Sequence, residues 1–254
     1  MRWTALSILL LAGVAFAGDD RTPLADSEVP AAARDALARE HPAAKILGGW
    51  ATPSGVELRF ELGESLGVAT VSSGRIEREE TVVALETLDE ATRHALDAKR
   101  GPVPVEQVVK TQTPAGTMFE AFLWSEKDAR LVTLGPRGVL EDAPLDGDGA
   151  LHACSAGVRE LLEARKKGDS AKEDAIRKKL ALALRRADGV IRVGSRRALV
   201  EKLCGPAYGK GGRDPGDEWM YPSHARDNFY VLHFRGGLVE DKHFRLIYDL
   251  EGGR

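Results

Sequence analysis

Histidine is the residue type of this chain with the widest chemical range, because imidazole can bind a metal or transfer a proton near neutral pH. The six histidines are His41, His94, His152, His224, His233 and His243. No two of them lie four positions apart with a third ligand nearby, and the sequence contains no Cys-x-x-Cys pair. The spacing therefore predicts no metal site.

The segment around His224 contains the residue types of a hydrolytic centre, since Ser223 precedes it and Asp227 follows. A serine nucleophile needs a sharp turn between a strand and a helix, with backbone amides nearby to stabilise an oxyanion. Neither pattern surrounds Ser223. The sequence thus predicts no catalytic residues and a protein that is not an enzyme, and a hydrolase that uses His224 stays as an alternative.

The two cysteines, Cys154 and Cys204, both lie in the C-terminal part of the chain. The first residues of the chain predict export, as described below. In an exported protein such a pair forms a disulfide more often than a redox or metal site. A bridge would close a loop of about 50 residues and contribute roughly 4 kcal/mol in the chain-entropy model. We therefore predict a disulfide, with two buried free thiols as the alternative.

Five side chains are candidates for contact with a partner. They are Trp50, Trp124, Trp219, Tyr221 and His224. Large aromatic side chains anchor an interface when they are exposed and fill the core when they are buried.

The glycine-rich run from Gly209 to Gly216 leads into a strand pattern and not into a helix, so it predicts a flexible hairpin loop. We expect no phosphate cradle there and no cofactor.

Composition and charge are those of an ordinary globular protein. The chain has 254 residues, of which 43% are apolar and 30% charged, and its formal net charge is -3. Binding to a phosphate backbone requires a concentrated basic face. This balance therefore gives no reason to expect a nucleic acid as partner.

The first residues follow the order of a secretory signal peptide. Arg2 precedes an apolar stretch from Ala5 to Phe16, which ends in the small-x-small triplet Ala15-Phe16-Ala17. A span across a membrane needs about 20 apolar residues. We expect residues 1–17 to be cleaved, which would leave a periplasmic or secreted chain without an integral membrane segment. A buried N-terminal helix is the alternative.

Residues 18–28 are polar and predict a flexible leader, and residues 29–142 predict a duplicated domain. An Ala-rich helix from Ala31 to Glu40 precedes strands that alternate apolar and polar side chains. The same order recurs at an offset of about 63 residues, with a strand from Thr117 to Trp124 in the second copy. Each small sheet alone buries too little to be stable, so the two copies are expected to form one domain.

Residues 143–149 predict a linker, and residues 150–254 a second domain that begins with a helical hairpin. A third helix follows, and three strand patterns come after it. These are Glu218 to Tyr221, Asn228 to Phe234 and Phe244 to Leu250. The predicted fold class is α+β: a duplicated helix plus antiparallel sheet module, followed by a helical hairpin and a module of one helix with a three-stranded antiparallel sheet.

Two groups of motifs carry family resemblances. Val29-Pro30-Ala31-Ala32, His41-Pro42-Ala43-Ala44-Lys45 and Gly55-Val56-Glu57-Leu58 make residues 29–142 resemble the PepSY-like, β-lactamase-inhibitor-like periplasmic domains. Val193-Gly194-Ser195, Gly205-Pro206 and Glu218-Trp219-Met220-Tyr221 are similar to the SmpA/OmlA family of small outer-membrane assembly proteins. The first resemblance implies an exported domain without enzymatic activity, and the second implies docking onto other envelope proteins.

Both resemblances imply a sheet that is presented to another protein. We therefore predict an exported, non-catalytic protein-binding module of the cell envelope, inhibitor-like or adaptor-like. Its partner would be another envelope or extracellular protein, contacted through sheet surface and the segment 209–228. The alternatives are an envelope or outer-membrane assembly or scaffold factor, and the hydrolase named above.

Overall fold

Nine consecutive strands form one antiparallel sheet in the computed structural model, which describes residues 21–211, 217–222 and 228–246. Each strand pairs with the next one along the chain. The strands are β1 (Thr22–Leu24), β2 (Lys45–Thr52), β3 (Gly55–Leu62), β4 (Ser65–Ser72), β5 (Arg75–Val83), β6 (Val105–Thr113), β7 (Gly116–Trp124), β8 (Ala129–Gly135) and β9 (Gly138–Pro144).

The predicted fold class, with a duplicated helix-plus-sheet module, is wrong, because the pairing of β5 with β6 joins all these strands into one sheet. Val83 of β5 pairs with Val108 of β6 and Glu79 pairs with Gln112, although a helix separates the two strands in sequence. If β5 and β6 did not pair, each of them would leave a row of backbone amides and carbonyls unpaired at the edge of a smaller sheet. A repeat in the sequence carries no information on such pairing.

Two helices, α1 (Ala31–Glu40) and α2 (Glu90–Arg100), pack on the same face of this sheet. The Glu79 side chain contacts His41, the residue that ends α1, while Val83 belongs to the apolar cluster beneath α2. These two residues are four apart in one strand and therefore point to the same side. α2 begins where the Asp89 side chain accepts a hydrogen bond from the Thr92 amide at 2.9 Å.

Three further helices begin the C-terminal part. They are α3 (Ala150–Lys166), α4 (Ser170–Val190) and α5 (Arg197–Cys204). Their apolar residues form the largest buried cluster together with Phe122, Trp124 and Ala129 of the nine-stranded sheet. The two predicted domains thus share a core, and this shared packing limits how far the parts can move independently.

The C-terminal sheet has four strands where the sequence predicts three. They are β10 (Gly209–Gly211), β11 (Glu218–Pro222), β12 (Asn228–Arg235) and β13 (Leu238–Leu246). β10 lies in the run that predicts a loop, where Lys210 pairs with Trp219. The turn at Gly236 and Gly237 joins β12 directly to β13, so the last strand begins earlier than the predicted Phe244.

Within the described ranges, no helix is long and apolar enough to cross a membrane.

Candidate functional site

The C-terminal part covers the face of the nine-stranded sheet opposite α1 and α2. Val108 of β6 packs beneath α2, so its neighbour Gln107 points to the other side. There the Gln107 side chain makes two hydrogen bonds. Its Oε1 atom accepts from the buried Ser195 hydroxyl at 2.6 Å, and its Nε2 atom donates to the backbone carbonyl of Val190 at 3.1 Å. Arg192 lies 3.5 Å from Glu120 of β7. Polar contacts therefore hold the two halves in register.

At one end of this interface, β13 of the C-terminal sheet meets β2 and β3. Leu58 and Phe60 face α1, so Arg59 between them points toward the C-terminal sheet. The Nη1 atom of Arg59 lies 3.5 Å from Oδ2 of Asp241 in β13. The Trp50 ring of β2 lies 6.1 Å from the His243 ring, measured between centroids.

Asp241 belongs to a cluster with two histidines, which we call the His233–Asp241–His243 cluster. One potential ligand atom from each of the three residues lies within 4.8 Å of the others. The two imidazole rings stack with centroids 5.4 Å apart. Glu218 of β11 lies beside the cluster, with Oε2 3.6 Å from Nδ1 of His233.

The electrostatics of the cluster favour ionised Asp241 and neutral His233. Burial raises the pKa of Asp241, but the interactions with His243 and Arg59 outweigh it and hold the pKa below its usual value. Burial and the neighbouring His243 lower the pKa of His233. An anionic carboxylate beside neutral imidazole is the protonation state in which these groups bind metal ions.

The sequence predicts no metal site, and spacing along one helix could not have revealed this cluster. The cluster arises because His233 and Asp241 are direct cross-strand partners in the hairpin of β12 and β13. His243 lies two residues beyond Asp241, and alternate residues of a strand share a face. The sequence did contain a signal for this cluster. A strand with His233 is followed by the tight turn Gly236-Gly237 and then by Asp241-x-His243.

Three of the five aromatic or histidine partner candidates are core residues. Trp124 is 9% exposed and stacks on His152 with ring centroids 4.0 Å apart, and Trp219 is 6% exposed. Tyr221 is fully buried, and its hydroxyl donates to the Gly205 carbonyl at 2.9 Å. Trp50 is half-buried beside the His233–Asp241–His243 cluster. His224, and with it the hydrolase hypothesis, lies outside the described residues.

The predicted disulfide is absent from the described structure, where Cys154 and Cys204 are both buried free thiols. The interaction with Cys154, together with burial, raises the pKa of Cys204 well above its usual value. The side chains of α3 and α5 thus meet as the predicted disulfide requires, but as free thiols within the core.

A small apolar surface lies at the outer edge of the nine-stranded sheet. Of the large apolar side chains in the described ranges, Met118 of β7 is 38% exposed and Leu140 of β9 is 59% exposed. Phe119 pairs with Leu134, which places Met118 beside Gly135. A Cβ atom on Gly135 would lie 2.8 Å from Cδ1 of Leu140, so the leucine side chain covers that glycine. We call these three residues the Met118–Leu140 surface.

Comparison with protein-family models finds no match to this sequence, and comparison with curated proteins finds none either. The PepSY-like and SmpA/OmlA-like resemblances therefore gain no support. Among solved structures, the chain is similar to a BLIP-like protein from Bacteroides fragilis, with 16% identity and a TM-score of 0.41 over 46% of this chain and 86% of that chain. A DUF2874 family protein from Bacteroides uniformis matches with 15% identity and a TM-score of 0.40, over 46% of this chain and 90% of that chain.

Proposed function

We propose that this chain is an exported, non-catalytic protein that binds another envelope or extracellular protein through the Met118–Leu140 surface. The observation that carries the proposal is the exposure of Leu140, at 59%, on the last strand of the nine-stranded sheet. Export rests on the signal-peptide pattern of residues 1–17. The absence of catalysis rests on the residue patterns described above.

An edge strand is suited to binding an extended segment of a partner. In the described ranges β9 pairs only with β8, so its other edge presents backbone amides and carbonyls. An incoming strand gains main-chain hydrogen bonds at such an edge, and pockets or apolar side chains beside it select the sequence. Leu140 supplies such a side chain, with Met118 extending the apolar contact across Gly135.

The opposite edge of the same sheet is less suited to this role. β1 has only three residues, and one of them is Pro23, which has no amide hydrogen to donate. A short strand with proline is a common way to prevent edge pairing. β9, in contrast, has seven residues. We therefore assign the contact with the partner to the β9 edge and not to the predicted aromatic residues, three of which are buried.

The test uses photo-crosslinking from position 140 in the native envelope, with Leu182 as the matched control position. Leu182 is an exposed leucine of α4, 47% exposed, and lies outside the proposed surface. We expect a discrete adduct from position 140 and none of the same mass from position 182. The partner would be identified by mass spectrometry of the adduct and then purified.

Binding of that partner would be titrated against L140D, M118D and the control L182D. We expect at least a tenfold loss of affinity, about 1.4 kcal/mol, for the two surface variants. L182D should bind like the unchanged protein. Equal affinities of L140D and L182D, with both variants folded by circular dichroism, would contradict the assignment of the surface.

A further inference from the structure

We propose that His233, Asp241 and His243 form a binding site for a divalent transition-metal ion, for which Zn²⁺ is the probe. This site is separate from the Met118–Leu140 surface and does not depend on the proposed binding function. Two imidazoles and one carboxylate are a ligand set that zinc uses in proteins. Mixed nitrogen and oxygen ligands also distinguish such ions from Ca²⁺ and Mg²⁺, which prefer oxygen.

The strands hold the three ligands close to the required arrangement. His233 pairs directly with Asp241 across β12 and β13, and His243 shares the face of Asp241. The three ligand atoms lie within 4.8 Å of one another. In a tetrahedral zinc site, bonds of about 2.0 Å place neighbouring ligand atoms about 3.3 Å apart. Small side-chain rotations would therefore close the site without moving the backbone of the hairpin.

An unsatisfied polar atom within the cluster is a second, independent observation. The Nδ1 atom of His243 is enclosed and has no hydrogen-bond partner within the described part of the chain. Its distance to Oδ2 of Asp241 is 3.6 Å, which is too long for a good hydrogen bond. Enclosed polar atoms are almost always satisfied in folded proteins. A metal ion between His243 and Asp241 would satisfy this nitrogen.

Glu218 occupies the place of a supporting carboxylate behind His233. Its Oε2 atom lies 3.6 Å from Nδ1 of the imidazole, and its side chain is 14% exposed. Histidines that bind metals commonly donate their other ring N–H to a carboxylate, which fixes the tautomer and the ring orientation. At 3.6 Å the carboxylate is too far for a good hydrogen bond, but a small rotation of the Glu218 side chain would let it accept the Nδ1 proton of His233 and leave Nε2 for the ion.

Arg59 is the group that competes with the ion. Its guanidinium lies 3.5 Å from Asp241 and neutralises the carboxylate when no cation is bound. Its positive charge also repels an approaching divalent ion. Removing this charge should strengthen binding roughly tenfold, the value from Coulomb's law for a unit charge about 6 Å from a divalent ion in a water-like dielectric. A tighter site after loss of an arginine is a result that non-specific surface binding would not produce.

The experiment measures Zn²⁺ binding to the mature chain by calorimetry and by equilibrium dialysis. The unchanged protein is compared with H243A, D241N and R59Q, and with H94A as the matched control. His94 is an exposed histidine of α2 that lies outside the cluster. Circular dichroism and melting curves without metal verify that each variant is folded. Should R59Q fail to fold, R59K serves as a second variant that keeps the charge and predicts unchanged affinity.

We expect one ion to bind per chain in the unchanged protein and in H94A. H243A and D241N should lose affinity by about 100-fold or more, since even outer residues of a metal site contribute 10- to 100-fold. R59Q should bind more tightly. The proposal is overturned if the unchanged protein shows no saturable binding, or if H243A and D241N bind Zn²⁺ as well as H94A does.

Discussion

The interface between the two halves can be tested at Ser195, the residue that connects Gln107 of the nine-stranded sheet to the C-terminal part. The Ser195 hydroxyl donates to Gln107 at 2.6 Å and accepts a hydrogen bond from the Arg192 amide at 2.7 Å. Ser195 is fully buried and Gln107 is 7% exposed. Ser195→Ala removes the hydroxyl with little change in volume, and it leaves two polar groups without these partners.

The expected cost follows from the groups left unpaired. A buried acceptor or donor without a partner costs about 1 to 3 kcal/mol. The Gln107 carbonyl is buried, whereas the Arg192 amide is only half-buried, so we expect the free energy of unfolding to fall by about 2 to 4 kcal/mol. For a chain of this size each kcal/mol lowers the melting temperature by roughly 2 to 4 °C.

Chemical denaturation followed by circular dichroism and by tryptophan fluorescence measures this change. Ser54→Ala is the control, because Ser54 is exposed and its hydroxyl makes only a surface contact with Thr52. That change should cost less than about 0.5 kcal/mol. A double-mutant cycle with Gln107→Leu should give a coupling energy of about 1 to 2 kcal/mol between positions 107 and 195.

Two results would refute the reasoning. One is a Ser195→Ala cost no larger than that of Ser54→Ala. The other is a cost that stays the same when Gln107 has already been replaced, since the hydrogen bond between the two side chains would then contribute nothing. Either result would mean that the hydrogen bond between Ser195 and Gln107 does not help to hold the halves together.

Three further predictions concern the core and the pH dependence of stability. A thiol reagent should label neither Cys154 nor Cys204 until the chain unfolds, because both are buried and the Cys204 pKa is raised; labelling of neither even when unfolded would instead indicate a disulfide. Trp124→Ala should lower the free energy of unfolding by about 3 to 5 kcal/mol, measured by denaturation, since the ring is 9% exposed and packed on other side chains. Burial raises the pKa of Asp146, but hydrogen bonds from the His152 and Leu151 amides and the His152 side chain outweigh it and hold the pKa below its usual value. The stabilisation from this carboxylate should therefore be complete above pH about 5 and decline as the pH falls through the lowered pKa. Asp146→Asn should make the melting temperature fall less steeply at acid pH. A melting temperature that falls as steeply as in the unchanged protein would contradict this.

Local elements were predictable because their signals lie within a few residues of one another. The predicted helix from Ala31 to Glu40 is confirmed with the same bounds, and the strand from Thr117 to Trp124 extends by one residue, to Gly116. Helical spacing and strand alternation report which side of an element is buried. They do not report which strand lies next to which, so the pairing of β5 with β6 was missed.

The candidate sites show the same division between local and distant information. Sequence alone identifies aromatic residues that either anchor a partner or fill the core, and burial of Trp124, Trp219 and Tyr221 assigns these three to the core. The His233–Asp241–His243 cluster depends on the register of one hairpin, and Arg59 reaches it from a strand far away in sequence. The amino-acid order establishes the elements and the leader pattern. Only tertiary packing establishes the single sheet, the free edge and the cluster, because each depends on contacts between residues that are distant along the chain.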